Sequence, residues 1–491
     1  MPRKRPNILL LFTDQQRWDT IHAAGNPIIK TPNLDRLAAG GTLFSGAYTP
    51  SPVCVSARCS LLFGQYPTRT GCADNCDAMP TDRPTLMQRL TDAGYRTHGI
   101  GKMHFTPDSL TLRGFQTRQR QEELGWRVED DDYLCHLRDN GFDHVYDPMG
   151  QRGEMYYIPQ PSQLPARLHA TNWVGDCSLD FLSNAQEPFF LFASFIHPHP
   201  PFSPPTPWNK LYRAPLMPLP KIPHQAESLH IFINKFQNRY KYRDNGLDYN
   251  LLRCIKAYYY ACISFIDYQI GRILDILEQK GLIDRTLIIF TSDHGEMLGD
   301  YGCFGKRCML DPSARIPLIV RYPERFPADT LCDTPTSLVD VLPTIAAAIG
   351  ISDMASDSDG VDLAETVAST NADRVIFSQF QKREQGVYMA LTRNWKYFYS
   401  VPDRREFLID RQQDPDETRN RAGVVFCRDA LKEMRQNALS FFGASDQNEC
   451  VENGFWKAYP QPQMPEDPDE GLLIQDPIWS KKQQFIHGYN D

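Results

Sequence analysis

The sequence predicts an α/β fold: a large central, mostly parallel sheet flanked by helices, followed by a smaller C-terminal antiparallel-sheet subdomain. Three observations carry that expectation. Apolar-rich runs at 7–13, 189–196 and 286–292, and a shorter strand-like stretch at 95–100, each lead to polar or charged residues, as buried parallel strands do at their C-terminal edges. Stretches of helical periodicity lie between them. From about residue 375 the pattern changes to short runs separated by turn residues, which suits antiparallel strands.

The 7–13 run delivers Asp14 and Gln15 to a strand exit. Thr31 and Pro32 start a short helix through Leu34 and Leu37, and 42–48 reads as a second strand leading to Cys54. Cys54 follows Ser-Pro-Val and opens a run through Leu61, Leu62 and Phe63. That places it in the first turn of a helix, where unpaired N–H groups and the dipole favour an anion, with Arg58 one turn on and facing the same way. Residues 86–93 read as a helix stopped by Gly94, and the 95–100 strand exits toward Lys102 and His104. Residues 106–186 are polar and irregular, an insertion over the site. The 189–196 strand empties into His197, Pro198, His199, Pro200 and Pro201, and 200–225 is rich in proline.

The clearest helix follows. Ile255, Tyr259, Cys262, Ile266, Ile270, Ile273 and Leu277 recur at gaps of three and four until Gly281, and this stripe reads as core packing. The 286–292 strand exits at Asp293 and His294, 316–320 adds a strand and 338–349 a helix. Strands at 388–392, 395–399 and 406–409, then a helix at 429–442, complete the chain's regular structure. The expected organisation is 1–370 as the catalytic unit, 371–442 as the subdomain and 443–491 as an extension. That extension is expected to wrap another surface, or a partner subunit in a homo-oligomer.

A chain of 491 residues exceeds what one core usually fills, which favours two units. A net charge of −8 advertises no basic face for nucleic acid, while leaving room for a local cationic cluster around a small anion. Thirteen cysteines with no regular spacing read as reduced thiols. No apolar run reaches membrane-span length, and the run after MPRKR is too short for a signal segment, so the expected location is cytoplasmic, or periplasmic if a leader has been trimmed.

In such a fold the strand exits share one edge of the sheet. Asp14 and Gln15, Cys54 and Arg58, Lys102 and His104, and Asp293 and His294 therefore converge. Two carboxylates, an amide oxygen and an imidazole suit a divalent cation with open positions. Calcium fits that set, with magnesium or manganese as alternatives.

Four stretches resemble signatures of the type I sulfatases of the alkaline phosphatase-like superfamily. They are the CVSAR stretch with its continuation to Gly71, GYRTHGIGKMHF at 94–105, TSDHGEMLGDYG at 291–302 and FTDQQ at 12–16. The likeness runs from Asn7 to about Asn420. It implies an alkaline phosphatase-like sandwich and a Cys54 oxidised to formylglycine by a formylglycine-generating or anaerobic sulfatase-maturing enzyme. The hydrated aldehyde, bound to the metal, then supplies the attacking hydroxyl. Two positions depart from the family pattern: Ser56 stands where Pro or Ala is usual, and Gln15 where most members have a second Asp. Gln15 with Asp293 and His294 resembles the combination of the phosphonate monoester hydrolase branch, and the Asp-His pair also resembles that of iduronate and glycan sulfatases.

The resemblance also implies roles. Arg58, Lys102 and Lys306 surround the sulfate; His199, with Lys306, protonates the leaving alkoxide; and His104 is the base that frees sulfate. His197 either shapes the pocket or is structural. Substrate choice is expected to lie in 106–186, 72–78 and 200–240, where Arg152, Tyr156, His169 and Trp173 either grip a sugar or pack. The function expected is hydrolysis of a sulfate ester on a carbohydrate or small molecule. The alternatives are a phosphonate monoesterase or phosphodiesterase at the same site, and a binding protein with unconverted Cys54.

Overall fold

The computed structural model describes residues 5–123, 127–152, 156–238, 248–369, 374–445 and 447–464. The tail beyond 464 and the expected boundary at 370–371 lie outside the described residues. The strands are β1 (Asn7–Asp14), β2 (Thr42–Phe44), β3 (Ala47–Tyr48), β4 (Arg96–Gly101), β5 (Thr117–Arg120), β6 (Phe189–Pro198), β7 (Thr286–Ser292), β8 (Leu318–Arg321), β9 (Thr330–Cys332), β10 (Thr336–Ser337), β11 (Ile376–Phe380), β12 (Val387–Leu391), β13 (Trp395–Ser400), β14 (Arg405–Asp410), β15 (Val451–Glu452) and β16 (Phe455–Trp456). The main sheet has eight strands in the order β5-β4-β6-β1-β7-β8-β2-β9.

β1 sits inside this sheet, parallel to β6 on one side and β7 on the other. Both its faces are buried, which explains a sequence without polar alternation. Ile8, Leu10 and Phe12 pack toward helices Cys54–Phe63 and Val341–Ile349. Leu9 and Leu11 pack toward Ala170–Ser183 and Tyr249–Gln279. Each such side chain contributes roughly 1.5–3 kcal/mol through burial, so the strand that ends in Asp14 is firmly anchored.

The α/β architecture agrees with the sequence reading, with four local corrections. The 42–48 segment is two strands: β2 joins the main sheet, whereas β3 pairs with β10 in a separate two-stranded sheet. Gly46 makes the break, since a Cβ there would lie 2.8 Å from the carbonyl oxygens of Asp333 and Thr334. Consequently Cys54 does not leave a strand of the main sheet. β8 runs antiparallel to β7, so the parallel block is β5-β4-β6-β1-β7. Finally, the 106–186 insertion contains β5 and helices Asp132–Asp139 and Ala170–Ser183. Tyr133, Trp173, Val174 and Leu182 from it are core residues, widely spaced among polar neighbours that mask the helical period.

β11 to β14 form an antiparallel sheet in sequential order. Met389, Leu391, Phe398, Phe407 and Ile409 face Tyr48, Val53 and Met309 of the larger body. Tyr388, Ala390, Tyr397 and Leu408 face helix Arg428–Phe442. Part of the C-terminal extension returns to this sheet, where Trp456 stacks on Tyr388 and Tyr399. All thirteen cysteines are free thiols. Among the described residues no helix is long and apolar enough to cross a membrane.

Candidate active site

The parallel pairing of β1 with β7 sets Thr13 beside Ser292 and therefore brings Asp14 and Asp293 out together. The Asp293 carboxylate accepts from the backbone N–H groups of Gln15 and His294, both at 2.9 Å. Gln15 holds a left-handed φ of 67°. Its loop is pinned by Tyr259, whose hydroxyl donates to the Gln15 carbonyl at 2.7 Å and accepts from the Arg17 N–H at 2.9 Å. The helical stripe read as packing thus also fixes this strand exit.

Cys54 opens helix Cys54–Phe63. Its Sγ lies 3.2 Å from His294 Nε2, 3.7 Å from Asp14 and 3.1 Å from Lys306 Nζ. One donor atom from each of Asp14, Cys54, Asp293 and His294 falls within a set spanning no more than 4.8 Å, all from buried residues. Two carboxylate oxygens, an imidazole and a sulfur or its oxidised replacement suit a divalent ion. Gln15 is adjacent, because its Oε1 accepts from Lys306 Nζ at 2.7 Å.

Buried carboxylates need compensation. Arg58 bridges them, with Nη2 at 3.0 Å from Asp14 and Nε at 3.1 Å from Asp293, and it also donates to the Lys102 carbonyl and Ser194. Lys102 Nζ sits 2.8 Å from Asp14 and 2.8 Å from Glu123. Burial works to raise the Asp14 carboxyl, but Lys102, His199, Arg58 and Lys306 outweigh it and hold Asp14 well below the usual range. Asp293 goes the other way, pushed up to about 6 by burial and by the Asp14 charge. Burial and Asp14 oppose ionisation of the Cys54 thiol, yet Lys306, Lys102 and His294 bring it well below its ordinary value.

A family model described as Sulfatase matches residues 6–351, most of the chain. The chain belongs to the sulfatase family. A second model, N-sulphoglucosamine sulphohydrolase, C-terminal, matches residues 299–440 of this sulfatase. An arylsulfatase of Clostridium perfringens is 29% identical over 486 residues, covering 93% of this chain and 98% of its own. A choline-sulfatase of Rhizobium meliloti is 31% identical, covering 86% and 83%. The structure of the phosphonate monoester hydrolase of Agrobacterium radiobacter superposes with a TM-score of 0.76 at 25% identity, covering 90% of this chain and 96% of its own. The enzyme is therefore a sulfuric ester hydrolase.

Around the cluster the sulfatase places the remaining predicted residues unevenly. His199 is buried, with Nδ1 2.7 Å from the Pro200 carbonyl and Nε2 3.6 Å from Glu123 and 3.5 Å from the Tyr156 hydroxyl. His104 has a φ of 55°, and its buried Nδ1 has no hydrogen-bond partner among the described residues. His197 is packed against His169 and bonded to Thr171 and Ser203, which makes it structural. Arg152 and Tyr156 reach the site through Glu123 and His199, whereas His169 and Trp173 belong to packing. Ser56 is buried and donates to the Cys72 carbonyl at 2.6 Å, which commits its hydroxyl hydrogen.

Four neighbours escaped the sequence reading. Asn75 accepts from the Val55 N–H at 3.0 Å, tying the 72–78 loop to the helix start. Glu296 takes the Gln15 amide and the Tyr157 hydroxyl. Glu122 and Glu123 sit in the insertion. Glu296 lay inside a recognised motif and was within reach; the other three come from segments with no periodicity to place them.

Proposed function

We propose that this sulfatase cleaves the sulfate ester of a carbohydrate at residue 54. The reading is carried by the 4.8 Å cluster of Asp14, Cys54, Asp293 and His294, with Arg58, Lys102 and Lys306 around it. A sulfate ester carries negative charge that repels a nucleophile, and preorganised cations offset it. Converted to formylglycine, residue 54 would supply the attacking hydroxyl, and a divalent ion held by Asp14, Gln15, Asp293, His294 and residue 54 would add positive charge, calcium being our first choice.

The chain's own residues do the rest. Arg58 keeps both carboxylates paired, and Lys306 binds sulfate oxygens beside residue 54. As the S–O bond breaks, its electron pair goes to the leaving oxygen, which takes a proton from His199 Nε2, with Lys306 assisting. His104, whose Nδ1 has no competing partner among the described residues, accepts the proton released when sulfate departs. A formylglycine-generating or anaerobic sulfatase-maturing enzyme is the partner this reading requires.

One purified preparation tests the proposal against a panel of sugar sulfates, an aryl sulfate, choline sulfate, a phosphodiester and a phosphonate monoester. We expect a sugar sulfate to give the highest kcat/KM. A phosphodiester or phosphonate rate above every sulfate rate would instead support the second reading, which Gln15, His294 and the likeness to the phosphonate monoester hydrolase favour. Mass analysis of the tryptic peptide containing residue 54 is expected to give the formylglycine mass. An unmodified Cys54 after co-expression with a maturing enzyme would point to a binding protein.

A further inference from the structure

We propose that Glu123 is a positioning residue of this enzyme: it holds the proton on His199 and fixes Lys102 from the opposite side to Asp14. The inference rests on the reading of His199 as the acid. Glu123 belongs to the insertion, and its side chain is only 8% exposed. One carboxylate oxygen meets Lys102 Nζ at 2.8 Å. The other meets Arg152 Nη1 at 2.9 Å and lies 3.6 Å from His199 Nε2.

The hydrogen-bond network decides which nitrogen of His199 can serve. Its Nδ1 faces the Pro200 carbonyl at 2.7 Å, and a carbonyl only accepts, so Nδ1 carries a hydrogen in either charge state. The transferable proton is therefore the one on Nε2, which faces Glu123 and Tyr156. Burial, Lys306 and Lys102 all oppose that second proton, and the imidazole is held below its ordinary value. Glu123 and Asp14 are the carboxylates that favour it. Of the two, Glu123 is the carboxylate placed 3.6 Å from Nε2 itself.

The residue before it acts on the same strand exit. Glu122 accepts from the backbone N–H groups of Met103, at 3.2 Å, and His104, at 3.0 Å, and receives Arg118 at 3.2 Å. Two consecutive glutamates thus hold the 102–104 turn, one through the Lys102 side chain and one through the backbone that carries His104.

The test uses matured full-length enzyme, as wild type, Glu123→Gln, Glu123→Asp, His199→Ala and the double variant of Glu123→Gln with His199→Ala. The measurement is kcat/KM across pH and across aryl sulfates of rising leaving-group pKa. Activity requiring protonated His199 falls as pH rises through its pKa. Glu123→Gln should therefore move that basic limb down by about one pH unit. Its loss should grow from under about twofold on the best leaving group to about tenfold on the poorest. In the double variant the dependence on the leaving group should be no steeper than in His199→Ala. Glu123→Asp should regain part of the shift, and carries the same readouts if Glu123→Gln does not fold. A uniform loss across leaving groups with an unmoved basic limb overturns the role of Glu123. If His199→Ala itself shows no dependence on the leaving group, it is the acid assignment that falls.

Discussion

Arg58→Met tests whether the guanidinium makes the carboxylate pair tolerable. The substitution keeps much of the volume but removes contacts to Asp14 at 3.0 Å and Asp293 at 3.1 Å, along with donors to the Lys102 carbonyl and Ser194. Asp14 retains Lys102, whereas among the described residues Asp293 keeps two backbone N–H donors and the adjacent His294. Removing one partner of a buried pair costs about 3–5 kcal/mol, because the stranded charge remains buried. The wild-type Asp293 carboxyl already stands at about 6, and losing Arg58 raises it further. Protonating Asp293 relieves the variant more than the wild type, so the deficit should shrink as pH falls from 7 to 5. The assay is urea denaturation of metal-stripped protein at both pH values. A deficit below about 1 kcal/mol that is the same at pH 7 and pH 5 would refute the argument.

Other expectations follow from packing and from the cluster. Gly101→Ala should cost at least about 1–3 kcal/mol, since Gly101 has φ +85° and an added Cβ would sit 2.0 Å from the Ser194 carbonyl oxygen; turnover should fall too, because Lys102 and His104 follow directly. Trp173→Ala should lower stability by about 3–5 kcal/mol in thermal melts while leaving KM unchanged, as befits a core residue and not a sugar platform. Chelation should remove turnover and lower the melting temperature, and restoring the ion at about 100 times its Kd should return about 2.7 kcal/mol; identical melts with and without chelator would argue against an ion at the cluster.

The metal cluster was legible in the sequence because its parts sit at the ends of strands with strong local signals. A buried parallel strand announces itself through an unbroken apolar run, and β1 and β7 then deliver Asp14 and Asp293 to neighbouring positions. Where pairing partners are distant, the signal fails. Residues 42–48 look continuous until the carbonyls of Asp333 and Thr334 are seen crowding Gly46. Trp173 is left between sugar contact and packing by the sequence because polar neighbours dilute the period of its helix. Glu123 gave no local cue at all, since its meaning comes from Lys102, Arg152 and His199, which only the fold assembles.

The docking of the C-terminal sheet constrains the order of events during synthesis. The approach to Cys54 is covered by chain made much later: Gln379 of β11 donates to the Pro50 carbonyl at 2.9 Å, and Tyr48 is roofed by Asp311, Lys396 and Arg411. Cys54 itself is 1% exposed. Any enzyme that must grip an extended peptide around this residue meets it only while the downstream sheet is unmade. On the proposed conversion of residue 54, modification becomes a race against folding, and a variant that closes its last sheet faster should retain more unconverted thiol.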